Sequence, residues 1–149
     1  MNKIIPIHSA ARYRRSIMIV DDQATSRTIL RSLIQRVDSK AKLYVFDETS
    51  AADAFCRTRV MDFVFTDYKL TKSNGIELIE KISRYPTCCN TTFVGVTASD
   101  EHSVRSAFIR VGAVAVLSKP VGISEIQRIL RPQQEPCGLL NLDNSNPAH

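Results

Sequence analysis

The chain has 149 residues, of which 44% are hydrophobic, and this length suits a single globular domain with a sizeable core. No apolar stretch approaches the roughly 20 residues of a membrane span, and the first sixteen residues lack the apolar core of a secretory signal, so we expect a cytoplasmic protein without a membrane anchor. The net charge is +5, but four positive residues in the first fifteen leave only +1 for the rest of the chain, so we expect no direct binding to nucleic acid.

The chain begins with a basic segment and then alternates strand-like and helix-like patterns. Residues 1–15 contain no acidic residue and are expected to form a solvated basic arm. Short apolar runs that indicate buried parallel strands follow at residues 16–20, 42–46, 62–66, 92–96 and 113–118. Apolar residues at helical spacing predict helices at residues 25–37, 50–59, 75–85, 100–111 and 124–130. Residues 131–149 are polar and contain Pro132 and Pro136, so we expect a disordered tail.

This alternation of strands and helices predicts an α/β fold. Five strand–helix units imply right-handed crossovers and one doubly wound, five-stranded parallel sheet with helices on both faces. In such a sheet, ligands bind in the crevice outside the carboxyl ends of the strands. Four of the predicted strands end on residues that can take part in chemistry, namely Asp21 and Asp22, Asp67, Thr97, and Lys119. We therefore expect three carboxylates, a hydroxyl and an ammonium to converge at this edge.

The three carboxylates favour metal-assisted chemistry. Like charges in one crevice repel one another, so such a cluster either holds a proton or binds a hard cation such as Mg²⁺. With a cation present, one carboxylate can act as a nucleophile toward a phosphoryl group, and Lys119 and Thr97 would contact the oxygens of that group. A structural interpretation also exists, because Asp21 and Thr97 could cap helices and Lys119 could pair with an acidic neighbour.

Over residues 17–130, the order and spacing of these residues resemble the receiver domain of two-component response regulators. The stretch at residues 20–33 looks particularly like the chemotaxis type of this family, and Gly75 falls at the family's spacing of eight beyond Asp67. The resemblance implies a flavodoxin-like sheet with strand order 2-1-3-4-5. It assigns the Mg²⁺ ligands to Asp21, Asp22, Asp67 and the backbone carbonyl of Lys69, and the phosphoryl chemistry to Asp67 as the acceptor with Thr97 and Lys119.

The resemblance also implies partners and leaves alternatives open. A sensor histidine kinase or a histidine phosphotransfer protein would donate the phosphoryl group, and a conformational change would signal to a downstream protein target. The chain would then be a signalling switch rather than an enzyme, and a dimer is possible. It would act as a separate protein or as the N-terminal receiver of a larger effector, for example a cyclic-di-nucleotide phosphodiesterase. A flavin-binding flavodoxin-like protein is a further alternative, although Asp21 and Asp22 would repel the phosphate of a flavin nucleotide.

Three positions depart from the receiver pattern. Thr71 stands where the family commonly has proline, and we expect a more mobile loop there because the fixed φ of proline is lost. Lys69 stands at a position that, together with Ser99, tunes hydrolysis of the acyl phosphate, and we hypothesise that Lys69 slows or misdirects the attacking water. A solvated Lys69 is the alternative. Val116 stands where many receivers carry an aromatic switch residue, so movement of Thr97 must be relayed by the backbone or by another group.

Overall fold

The structure is a computed structural model that describes residues 13–131, and these residues form a parallel sheet with helices on both faces. The strands are β1 (Ser16–Val20), β2 (Lys42–Phe46), β3 (Phe63–Asp67), β4 (Thr92–Thr97) and β5 (Ala113–Ser118). The helices are α1 (Ala24–Val37), α2 (Thr49–Cys56), α3 (Gly75–Ile82), α4 (His102–Arg110) and α5 (Ile123–Leu130), and a 3₁₀ turn at Pro86–Cys88 follows α3. The sheet order β2-β1-β3-β4-β5 confirms the predicted fold and strand order. No helix in this part of the chain is long and apolar enough to cross a membrane.

Some element boundaries differ from the sequence prediction. The helix α3 ends at Ile82 rather than at residue 85, because Pro86 lacks an N–H group and disfavours the helical conformation of the residue before it. The strands β3 and β4 each extend one residue further than predicted and include Asp67 and Thr97. The sheet ladder, rather than a loop, therefore fixes the backbone of these two residues.

Both faces of the sheet are buried, which explains why the strands read as continuous apolar runs. Met18 and Val20 of β1 lie in a core shared with α2, α3 and α4, whereas Ile17 and Ile19 lie in a second core shared with α1 and α5. All four side chains are at most 1% exposed. A sheet held from both sides gives the residues at its carboxyl edge a rigid support.

The first residue of α3 packs directly against the end of β3. Asn74 caps this helix by accepting a hydrogen bond from the backbone N–H of Glu77 at 2.9 Å. Gly75 follows, and its N–H donates to the carbonyl of Tyr68 at 3.0 Å. A Cβ atom on Gly75 would lie 2.2 Å from the carbonyl oxygen of Asp67, so this approach requires glycine.

Arg15 joins three elements at the opposite edge of the sheet. Its guanidinium donates to the carbonyl of Leu130 at the end of α5 and lies 3.3 Å from a carboxylate oxygen of Asp38, which follows α1. The end of the predicted basic arm is thus bound to the domain just before β1. The rest of that arm, residues 1–12, and the predicted tail at residues 132–149 lie outside the described residues.

A buried carboxylate lies away from the sheet edge, between α2 and α3. Asp53 accepts a hydrogen bond from the hydroxyl of Tyr85, and its Oδ2 lies 3.0 Å from Nζ of Lys81 and 3.3 Å from a guanidinium nitrogen of Arg57. Burial alone would raise the pKa of Asp53, but the hydrogen bonds from Tyr85 and Lys81 and the nearby positive charges outweigh it and lower the pKa below its ordinary value. The network therefore joins α2 to α3 through an ionised carboxylate.

Candidate functional site

Three aspartates from two neighbouring strands meet at the carboxyl edge of the sheet. Asp21 and Asp22 follow β1, and Asp67 ends β3, which pairs with β1. One carboxylate oxygen of each residue lies within 4.8 Å of the other two. Asp21 is 3% and Asp67 is 7% exposed, whereas Asp22 is partly exposed. Negative charges this close together favour a bound cation.

Lys119, which follows β5, extends between two of these carboxylates. Its Nζ lies 2.9 Å from Oδ2 of Asp21 and 3.0 Å from Oδ2 of Asp67, and it also donates to the hydroxyl of Ser26 at 3.3 Å. Burial alone would lower the pKa of Lys119, but the hydrogen bonds and charges of the two carboxylates outweigh it and raise the pKa. The side chain is therefore a protonated ammonium at neutral pH.

Asp67 is the carboxylate of the cluster that ends β3. Burial raises its pKa above the ordinary value, and the negative charge of Asp21 acts in the same direction. The hydrogen bonds from Lys119 and from the backbone N–H of Tyr68, at 2.8 Å, lower the pKa but offset only part of this effect. The ionised form of Asp67 would therefore be stabilised by additional positive charge in the cleft.

Thr97 ends β4, the strand next to β3, and completes the predicted set. It is 2% exposed, and its hydroxyl oxygen accepts a hydrogen bond from the backbone N–H of Ser99 at 2.9 Å. Its carbonyl accepts a hydrogen bond from the N–H of Lys119 at 2.9 Å. A cleft of about 340 Å³ is lined in part by Asp22, Asp67, Lys69, Thr97 and Lys119. The structure thus brings the predicted site residues together, with Asp21 joined to them through Lys119.

The loop between β3 and α3 contains a contact that the sequence analysis missed. Lys69 and Asn74 pair as an isolated antiparallel bridge, and the side chain of Lys69 is exposed. Between them, the hydroxyl of Thr71 donates a hydrogen bond to Oδ2 of Asp22 at 3.0 Å. The sequence offers one signal for this contact, a hydroxyl at a position where proline is common.

A second missed contact connects α4 to β5 beside Val116. The guanidinium of Arg105, on α4, donates to the carbonyl of Val116 at 3.0 Å and to the hydroxyl of Ser118. Ser118 pairs with Thr97 in the sheet and directly precedes Lys119. Arg105 therefore links α4 to the strand end that carries the site, although its sequence context resembles that of any surface arginine.

The donor set fits a hard divalent cation. Asp21, Asp22 and Asp67 offer carboxylate oxygens, and Asp22 retains access to solvent, as a cation that keeps some of its water requires. Carboxylate oxygens without thiol or imidazole ligands suit hard cations such as Mg²⁺, Ca²⁺ or Mn²⁺. Within residues 13–131, no other group of three potential metal ligands lies this close together.

The sequence and the fold are similar to those of known proteins. A family model described as the response regulator receiver domain matches residues 17–131. The cyclic di-GMP phosphodiesterase response regulator RpfG of Xanthomonas campestris is 28% identical over 112 residues, and the match covers 75% of this chain but only 30% of that protein. The probable chemotaxis protein CheY of Rhizobium etli is 27% identical over 116 residues, which cover 74% of this chain and 85% of that protein. The solved signal receiver domain of an HD domain-containing protein from Pseudomonas fluorescens is 27% identical, with a TM-score of 0.67 and coverage of 80% of this chain and 93% of that one.

Proposed function

Because the chain belongs to the family of response regulator receiver domains, we propose that it is a phosphorelay switch in which Asp67 accepts a phosphoryl group. The observation that carries this proposal is the pair of 2.9 Å and 3.0 Å contacts by which Lys119 joins Asp67 to Asp21. Asp22 and Thr97 line the cleft next to Asp67. A nucleophilic carboxylate, two further carboxylates, an ammonium and a hydroxyl are the groups that phosphoryl transfer to an aspartate needs.

In the proposed reaction, a sensor histidine kinase or a histidine phosphotransfer protein presents a phosphohistidine to the cleft. An oxygen of Asp67 forms a bond to phosphorus, the bond from phosphorus to the imidazole nitrogen breaks, and that nitrogen keeps the electron pair. Lys119 and the N–H of Tyr68 orient the carboxylate for attack. Water later attacks the acyl phosphate, which releases inorganic phosphate and restores Asp67.

We propose Mg²⁺ as the cofactor, held by Asp21, Asp22, Asp67 and the backbone carbonyl of Lys69. When bound, the cation would offset the negative charge of the phosphoryl oxygens. Asp21 keeps its carboxylate oriented through Lys119 and through the backbone N–H of Gln23, which donates to it at 2.9 Å. The residues therefore provide a preorganised set of oxygens.

The output of this switch is a change of surface shape rather than a chemical product. Thr97 and Lys119 are the groups that would contact the new phosphoryl oxygens, and their displacement would shift a pre-existing conformational equilibrium. A downstream protein would bind one of the two conformations. We accordingly propose a cytoplasmic signalling switch rather than an enzyme that acts on a separate substrate.

Intact-mass spectrometry after incubation with Mg²⁺ and acetyl phosphate tests this function. We expect a phosphoryl adduct that requires Mg²⁺ and that Asp67→Asn abolishes. Asp47→Asn is the matched control, because Asp47 is an exposed aspartate outside the cleft, and it should retain the adduct. An adduct on Asp67→Asn, or no adduct with either acetyl phosphate or a phosphorylated histidine phosphotransfer protein, would contradict the proposal.

A second candidate is that the receiver controls an effector in the same polypeptide, such as a cyclic-di-nucleotide phosphodiesterase. The support is that the chain spans only 30% of the RpfG relative and is similar to the receiver of an HD domain-containing protein. An antibody raised against residues 16–130 would show the size of the natural protein in its own cells. A species much longer than 149 residues, with phosphodiesterase activity after purification, supports this candidate, and a species of 149 residues contradicts it.

The flavin-binding alternative receives no support from the site. The loop after β1 places Asp21 and Asp22 where a flavin phosphate would need donors, and their carboxylates repel an anion. The family match also assigns residues 17–131 to receivers. An absorption spectrum of the purified protein without a flavin band would agree with this assignment.

A further inference from the structure

We propose that Thr71 is a positioning residue for the cation site, where its hydroxyl fixes the carboxylate of Asp22. The inference rests on the proposed function, because Asp22 matters as a ligand only if the cleft binds a divalent cation. Its physical basis is the 3.0 Å hydrogen bond from Oγ1 of Thr71 to Oδ2 of Asp22. The two residues are 49 positions apart, so the bond joins separate loops.

The three aspartates differ in what holds them. The carboxylates of Asp21 and Asp67 each accept a hydrogen bond from Lys119 and another from a nearby backbone N–H. Within residues 13–131, the carboxylate of Asp22 has one hydrogen-bond partner, the hydroxyl of Thr71. Loss of that hydroxyl would therefore release only this one of the three carboxylates.

Thr71 is presented from a loop that is itself well held. The Lys69–Asn74 bridge closes the loop, and inside it the N–H of Leu70 donates to the carbonyl of Ser73 at 3.1 Å. The hydroxyl of Ser73 lies 2.8 Å from that of Thr49 at the start of α2. Leu70 is 9% exposed and packs into the core beside α3. These contacts hold the backbone and side chains around Thr71, and they direct its hydroxyl at Asp22.

The same loop carries Lys69, whose backbone carbonyl is a proposed ligand of the cation. Thr71 therefore ties together the two loops that would supply Asp22 and that carbonyl. Outer hydrogen bonds of this kind orient metal ligands, and their removal typically costs 10-fold to 100-fold in metal affinity. Thr71 is exposed, where hydrogen bonds are weaker, so we expect about a 10-fold loss, at the lower end of that range.

Isothermal titration calorimetry, which measures the affinity for Mg²⁺, tests this inference on four variants of the full chain. Thr71→Val keeps the branched shape without the hydroxyl, and Thr71→Ala removes the hydroxyl with less bulk. Both should bind Mg²⁺ about 10-fold more weakly than the wild type, whereas Thr71→Ser should stay within about 2-fold. Thr58→Val is the matched control, because Thr58 is exposed in the turn after α2 and its variant should bind like the wild type.

Phosphorylation kinetics separate positioning from a purely structural effect. For Thr71→Val with acetyl phosphate, the concentration of Mg²⁺ that gives half the maximal rate should rise about 10-fold, while the rate at saturating Mg²⁺ stays near that of the wild type. Equal or tighter Mg²⁺ binding by Thr71→Val and Thr71→Ala would overturn the inference and leave the proposed function intact. A wild-type protein that binds no Mg²⁺ and forms no adduct would overturn both.

Discussion

The close contact between Gly75 and Asp67 predicts how far an alanine substitution at Gly75 would lower the free energy of unfolding. In Gly75→Ala, the new Cβ would lie 2.2 Å from the carbonyl oxygen of Asp67 and 2.8 Å from Oγ1 of Thr66. The first neighbour is backbone, so either β3 or the start of α3 must shift. Overpacking of this kind typically costs about 1–3 kcal/mol. Alanine gains about 1 kcal/mol over glycine in helix propensity, and this offsets only part of the strain.

With that offset, we expect Gly75→Ala to lower the free energy of unfolding by about 1 kcal/mol, measured by urea denaturation with circular dichroism. Gly122→Ala is the matched control, because Gly122 has a φ of −97° and its nearest atom to a new Cβ is 4.0 Å away. Alanine stabilises the fold at this position because it lowers the conformational entropy of the unfolded chain, but it caps a helix less well than glycine does. The two effects oppose each other, so we expect a change within about 0.5 kcal/mol.

A displaced Asp67 should also affect the chemistry, since its carbonyl and its carboxylate belong to one residue at the end of β3. Gly75→Ala should therefore acquire the phosphoryl group from acetyl phosphate more slowly than the wild type, while Gly122→Ala should be unaffected. If Gly75→Ala were as stable as Gly122→Ala, the close approach would not constrain residue 75 and the reasoning would be refuted.

Three further predictions concern other sites. Lys69→Ala should speed hydrolysis of the acyl phosphate by up to about 5-fold, the equivalent of an exposed ion pair of about 1 kcal/mol. Phosphate release measures this, and an unchanged rate supports a solvated Lys69. Asp53→Asn should cost about 2 kcal/mol at neutral pH through its lost charged hydrogen bonds. Because the pKa of Asp53 is lowered in the folded state, the difference in stability between the wild type and Asp53→Asn should shrink as the pH falls below about 4. A difference that is constant with pH would contradict an ionised Asp53 in the folded protein. Burial raises the pKa of Cys56 to about 12, so iodoacetamide should label the exposed Cys89 and spare Cys56 in the native protein, as peptide mapping would show. Equal labelling would indicate that Cys56 is accessible.

The architecture and the placement of the site could be predicted because both follow from local patterns. Apolar runs buried on two faces identify parallel strands, and the topology of such a sheet brings the residues after those strands to one edge. The positions of Asp67 and Thr97 beside Lys119 follow from this rule alone. Helix ends were predicted less well, as at α3, because the periodicity of apolar residues continues past Ile82 while Pro86 ends the helix.

The contacts that refine the site could not be predicted because they depend on distance in space rather than on sequence pattern. Thr71 and Asp22 lie in different loops, and a hydroxyl at a loop position suggests solvent rather than a carboxylate 49 residues away. Arg105 follows the pattern of a surface arginine on α4, and only the packing of that helix on β5 brings it to Val116. Such contacts can be identified only when the three-dimensional course of the backbone is known.

The bridge from Arg105 to β5 affects the way in which α4 can move. An aromatic side chain in a buried position resists displacement because its exposure to water costs about 1.5–3 kcal/mol, whereas a guanidinium can exchange each protein acceptor for water. Hydrogen bonds to a charged group contribute about 1.5–3 kcal/mol each, so a rotation of α4 that breaks the bonds from Arg105 to the carbonyl of Val116 and the hydroxyl of Ser118 costs at least as much as exposing one aromatic side chain. Arg105 thus holds α4 to the sheet edge through polar contacts of a strength similar to that of a buried aromatic side chain.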